Sequence, residues 1–214
     1  MVRLAIGLVT GAALLQPSVM VEHEPMHRVV FENRLVKVID AAVAPGQATA
    51  YHTHERDNVP VAVAPGTIAA TERGGRPVES AVPLGAVSYA VGGYTHEVRN
   101  IGPTPVRFID VELVGPRGFN TAAGCEGRYH ATEIDNHRVV VHRVVLPAGA
   151  RLDEHRHNGP LLEVIVRGGR VARRLLAVEP VAAGATAWRE EGRVPQIVNA
   201  GSAVLEIVEV EWKP

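Results

Sequence analysis

The chain has 214 residues, enough for one large domain or two small ones. Its 22 Lys and Arg stand against 23 Asp and Glu, so there is no surplus of positive charge to meet phosphates, which argues against a nucleic-acid or polybasic membrane role. The single cysteine, Cys125, rules out an intramolecular disulfide and a thiolate zinc cluster.

The first twenty residues pair Arg3 with an apolar stretch, Leu4 to Leu15, closed by Pro17. Residues 1–20 read as a short signal peptide or as an apolar arm packed on the body. They are too short, and too broken by Gly7 and Gly11, for a stable membrane span. After them come short, Val-rich runs: RLVKVIDAAV, VPVAVA, TIAATE, AVSYAV, THEVRN and VRFIDVELV. Turn signals such as APG, RGG and IGPTP separate these runs at the spacing of a β-sandwich or small barrel. Between the first two runs lies His52-Thr53-His54. On a strand, residues i and i+2 share a face, so the two imidazoles can grip one ion or simply stand on a solvated face.

The chain repeats itself. ENRLVKVIDAAVAPGQATAYHTH, from Glu32 to His54, aligns without a gap on DNHRVVVHRVVLPAGARLDEHRH, from Asp135 to His157. Further on, GAVSYAVGGYTHEVRN (Gly85 to Asn100) matches GATAWREEGRVPQIVN (Gly184 to Asn199), and the segment between the copies reads as a connector. So long a repeat is a duplicated domain, not a solenoid unit. The expected organisation is all-β: a barrel over residues 21–115, a connector over 116–130 and a second barrel over 131–214. That makes two antiparallel jelly-roll barrels in tandem.

These residues resemble the cupin superfamily, whose first motif is Gly-x5-His-x-His-x3,4-Glu-x6-Gly and whose second is Gly-x5-Pro-x-Gly-x2-His-x3-Asn. Gly46, His52, His54 and Gly66 carry the first; Gly85, Gly93, His96 and Asn100 carry the second, with Val91 in place of the Pro. The duplicated motifs are similar to a bicupin of germin-like or quercetinase-like barrels. The resemblance implies that His52, His54 and His96 converge on one divalent metal, iron(II) first, with zinc, manganese or nickel as alternatives. With six residues intervening before Gly66, Val59 falls at the usual Glu position. Asp57, close by, is then a fourth ligand, a partner to bound water or a turn residue.

In the second copy His155 and His157 persist, but Leu162 stands at the Glu position and Pro195 at the third His. Glu163 is one residue out of register, and His142 aligns with Ile39. The resemblance thus implies a degenerate second site, kept for packing, and about one metal per chain. For the first barrel it implies an oxygen-dependent, dioxygenase-like oxidoreductase acting on a small chelating organic substrate. A Lewis-acid isomerase or lyase and a non-catalytic ligand- or metal-binding protein are the alternatives. Val59, Val61, Val63 and Val91 are expected to wall the pocket; Tyr94 is either a turn residue beside Gly93 or the better polar candidate at the mouth, and Tyr51 and Arg99 are expected to face outward. The expected partners are a small molecule and at most a second copy of the chain, as monomer or homodimer. The location is periplasmic or secreted if the leader is a signal, and cytoplasmic otherwise.

Overall fold

The run Asn58–Ala64 carries no charge, and such a strand can be buried on both faces. Both of its faces are in fact used. The structure is a computed structural model that describes residues 17–116, 127–173, 177–190 and 192–213. Cys125, most of the connector and residues 1–16 of the leader lie outside the described residues. Apart from one 3-10 turn, Val21–His23, the described residues form strands and turns, and none of their helices is long and apolar enough to cross a membrane.

In the first barrel, one sheet runs in the spatial order Val19–Met20, His52–His54, Tyr94–Asn100, Gly66–Glu72, Val78–Val82. The sheet facing it runs His27–Glu32, Val36–Val43, Val106–Leu113, Asn58–Ala64. All pairs are antiparallel except the first: Val19 and Met20, at the end of the leader, lie parallel to His52 and Thr53.

The second barrel has a sheet His130–Asp135, Val139–Leu146, Leu205–Trp212, Leu161–Arg167, Thr186–Arg189. A second sheet holds Arg151–Leu152, Ile197–Asn199, Gly169–Arg173 and Glu179–Val181. Its registers repeat those of the first: His27 opposite Ala41 recurs as His130 opposite Val144, and Ile39 opposite Asp110 recurs as His142 opposite Glu209. The chain is therefore two tandem antiparallel jelly-roll barrels. The copies differ where the first has the unbroken strand Tyr94–Asn100. In the second, Pro195, which cannot donate to a ladder, falls between Gly192–Val194 and Ile197–Asn199.

The two barrels share one core. Val59, Val61 and Val63 pack with Leu162, Val164 and Val166 from the equivalent strand of the other copy, backed by Val111, Leu113, Val210 and Trp212. This corrects the expectation that the three valines wall a pocket: they face the neighbouring barrel, and the even-numbered Asn58 and Pro60 face inward. Alternation along the strand is intact, but with both faces buried it carries no sign of which one is which. Val91, the fourth expected wall residue, is largely exposed.

Reciprocal arginines clamp the halves. Arg107, paired with Asp40, donates to the Ala183 carbonyl, and Arg143, paired with Glu206, donates to the Gly85 carbonyl. Gly85 sits at φ +79°, a conformation that L side chains rarely adopt, and a Cβ there would crowd the ion pair, 2.7 Å from Arg143 Nη1 and 2.8 Å from Glu206 Oε1. The motif asparagines also act alike. Asn100 Nδ2 donates to the Val43 and Thr104 carbonyls, and Asn199 Nδ2 to those of Leu146 and Ala203, closing equivalent turns.

Candidate metal centre

His52 and His54 point to one side of their three-residue strand while Thr53 turns away, its hydroxyl 2.8 Å from that of Thr95. The ladder sets His96 directly opposite His52. The three rings meet through their Nε2 atoms: His96 Nε2 is 2.9 Å from His52 Nε2 and 3.2 Å from His54 Nε2. Their far sides are anchored. His52 Nδ1 donates to the Ala50 carbonyl at 3.0 Å, which leaves its Nε2 with a lone pair. His54 Nδ1 lies 2.6 Å from Glu112 Oε1 and 2.8 Å from Asn58 Nδ2.

Burial, reinforced by the neighbouring imidazoles, pushes His52 and His96 down to about 3, and burial lowers His54 as well. All three are neutral at pH 7, the form that ligates metal. One proton on His96 Nε2 can point at only one of its two neighbours, whereas a cation between the rings is met by all three. Nitrogens bound at about 2.1 Å to one ion lie about 3.0–3.4 Å apart for right-angle to tetrahedral geometry, close to the spacings seen. The donor set fits a divalent transition metal.

Four residues around this cluster had no place in the sequence-based site. Asn58 donates to the Tyr94 hydroxyl at 2.8 Å as well as facing His54. The motif allows three residues between His and Glu as well as four, and counting three would have put Asn58, not Val59, at the Glu position. Asp110 and Glu112 alternate on Val106–Leu113, so both face inward, and Asp110 Oδ2 is 3.5 Å from His54 Nδ1. Burial raises Asp110 to about 7 and Glu112 to about 8. His27 Nδ1 donates to the Val21 carbonyl at 2.8 Å, and its ring stands edge-on to His52.

Tyr94 stacks on His54 with ring centroids 4.7 Å apart, and burial holds its hydroxyl well above the ordinary range, so it stays protonated. Beside the rings opens a cavity of about 320 Å³, walled by Val43, Ile68, Val82, Val98 and Phe108.

Asp57 is not brought to the three histidines. Its oxygens accept from the Tyr89 hydroxyl at 2.7 Å and from the Gly92 N–H at 3.0 Å. Arg99 is exposed, and Tyr51 lies under the Arg73 guanidinium away from the cavity. In the second barrel Val194, next to Pro195, stands opposite His155, and Leu162 is in the shared core. Glu163 is fully buried, held by Arg173 and Arg189, and pairs in register with Glu209. His142 sits behind Glu211, 3.2 Å from Oε2.

No sequence-family model matches the chain, and no curated protein matches it. Solved structures do. AerE from Microcystis aeruginosa superposes with a TM-score of 0.62 at 10% identity, covering 88% of this chain and 98% of that one. An oxalate decarboxylase gives 0.61 at 14% identity, covering 86% and 71%. Salicylate 1,2-dioxygenase from Pseudoaminobacter salicylatoxidans, in its adduct with gentisate, gives 0.58 at 11% identity, covering 85% and 70%. At these identities the likeness is one of fold, and that fold is the cupin fold.

Proposed function

We propose, on the premise that the chain has the cupin fold in duplicate, that its first barrel is a metal-dependent active site. There the chain acts as an oxygen-dependent oxidoreductase on a small chelating organic molecule. The observation that carries this is the meeting of His52, His54 and His96 through Nε2 at the edge of a mostly apolar cavity. A dioxygenase and a decarboxylase among the proteins of similar fold support it.

Iron(II) held by the three histidines would supply electrons to dioxygen and Lewis acidity to a chelating substrate. The chain's own residues do the rest. Val43, Ile68 and Phe108 exclude water, and a cavity of about 320 Å³ suits a single ring or a short chain. Tyr94, protonated and braced by Asn58, is placed to donate a hydrogen bond to a substrate oxygen. Asp110, raised to about 7, is poised to give or take a proton near neutrality. Asn58, at the place of the usual Glu, adds no negative charge, so the centre favours an anionic substrate. Export through the leader, a monomeric or homodimeric state, and barrel limits at 21–115 and 131–214 belong to the same proposal.

The test is oxygen uptake by chain purified without air and loaded with iron(II), offered catechols, 2-oxo acids and diketones in turn. Uptake matched to substrate loss, and abolished in His96→Ala, is expected. Turnover without oxygen uptake would assign an isomerase or lyase instead. Retained zinc with no turnover would assign a binding protein.

A further inference from the structure

The sequence motif leaves the second barrel with two imidazoles, but the folded chain brings two more ligands to them. His130 and His155 have ring centroids 5.2 Å apart, His155 and His157 5.0 Å, and His130 Nε2 is 2.8 Å from Glu209 Oε2. One donor atom from each of His130, His155, His157 and Glu209 lies within 4.8 Å of all the others. His157 Nε2 is 3.4 Å from Glu209 Oε2. We infer that the C-terminal barrel holds a second divalent metal ion, ligated by His130, His155, His157 and Glu209.

The positions repeat those around the first centre. His130 and Glu209 are the repeat equivalents of His27 and Asp110, at the same places in the ladders. In the first barrel His27 and Asp110 stand beside a centre completed by His96. In the second, where Val194 replaces that imidazole, the carboxylate is one methylene longer and reaches the rings.

The outer supports are also kept. His155 Nδ1 donates to the Asp153 carbonyl at 3.1 Å, as His52 Nδ1 does to Ala50, and His157 Nδ1 meets Glu211 Oε2 at 2.7 Å, as His54 Nδ1 meets Glu112. A barrel kept only for packing has no need of two anchored imidazoles aimed inward.

What points to an ion is a set of buried ligand atoms left without a hydrogen bond, His157 Nε2 having only the 3.4 Å approach of Glu209 Oε2. His155 Nε2, His157 Nε2 and Glu209 Oε1 are buried without a hydrogen-bond partner among the described residues, and His157 and Glu209 are 2% and 0% exposed. Without an ion, Glu209 and Glu211 hold a proton on His157, but His155 Nε2 and Glu209 Oε1 stay unpaired; a cation displacing that proton joins all three residues. Glu211 is not a competitor for that role. Its Oε1 accepts from the Asn158 and Gly159 N–H groups and its Oε2 braces His157 and His142. Three imidazoles with one carboxylate suit iron, manganese, cobalt or zinc. An open cleft lined by Arg128, Tyr129, His130, Arg151 and His155 gives the ion a way in.

The probe is cobalt(II), added to the full chain after chelator treatment and followed by its visible absorbance, with elemental analysis after desalting. The wild type should take up two equivalents, His155→Ala one, His96→Ala one, and the double variant none. Glu209→Gln, which keeps the shape of the side chain, guards against a misfolded His155→Ala and should bind the second equivalent about 10- to 100-fold more weakly. Circular dichroism verifies that each variant is folded. A wild type that saturates at one equivalent, still bound by His155→Ala, overturns the inference, as does a folded Glu209→Gln that binds two with unchanged affinity. A wild type that binds one equivalent, lost in His155→Ala and kept in His96→Ala, would uphold the second centre and overturn the first.

Discussion

Glu112→Gln tests the N-terminal centre from behind its ligands. Glu112 does not line the cavity, yet its Oε1 lies 2.6 Å from His54 Nδ1 and is itself buried. With a cation on Nε2, His54 donates from Nδ1 to a carboxylate, a charge-assisted bond worth about 1.5–3 kcal/mol against about 1 for a neutral one. Gln keeps the acceptor and drops the charge, so above about pH 8, where Glu112 is ionised, the loss is about 0.5–2 kcal/mol, or roughly 2- to 30-fold in metal affinity. The assay is a chelator-competition titration with cobalt(II) in a His155→Ala background, so that only the first centre is read. The metal-free protein should move the other way. Burial raises Glu112 to about 8, from an ordinary 4.5. The folded state thus prefers the protonated acid, and its ionisation costs stability as pH climbs toward 8. Gln escapes that cost, so the gain in Tm on substitution should be larger at about pH 9 than at about pH 5. Unchanged metal affinity in a folded Glu112→Gln would refute the placement of His54 as a ligand held by Glu112.

Asp57→Asn should leave metal content unchanged, because Asp57 accepts from Tyr89 and Gly92 rather than facing the rings; loss of one equivalent would make it a ligand after all. Leu162→Ala, at 0% exposure in the core shared by the barrels, should cost about 2–5 kcal/mol in chemical denaturation while both metal equivalents stay bound. Tyr94→Phe keeps the ring stacked on His54 and removes only the hydroxyl; metal content should hold while kcat on the substrate found by the oxygen-uptake screen falls about 100-fold. Equal kcat in Tyr94→Phe would move the tyrosine from the reaction to the scaffold.

The fold was legible at the level of the whole chain, because a gapless repeat of strand, turn and His-x-His constrains both copies at once. The meeting of His52, His54 and His96 followed from motif spacing, since alternation along a strand and pairing across the ladder are both local rules. The pocket walls were not legible. Val59, Val61 and Val63 look like any inward-facing valines, and only the second barrel lying against them decides that Asn58 and Pro60 are the inner pair.

The sequence by itself determined the duplication and the convergence of His52, His54 and His96, features encoded in short spacings. Tertiary structure alone decided which face of each doubly buried strand looks inward, and that His130 and Glu209 reach His155 and His157. Those four residues come from three strands of one barrel, His130–Asp135, His155–His157 and Leu205–Trp212, and no local spacing records which distant strands the closure of a β-roll will bring together.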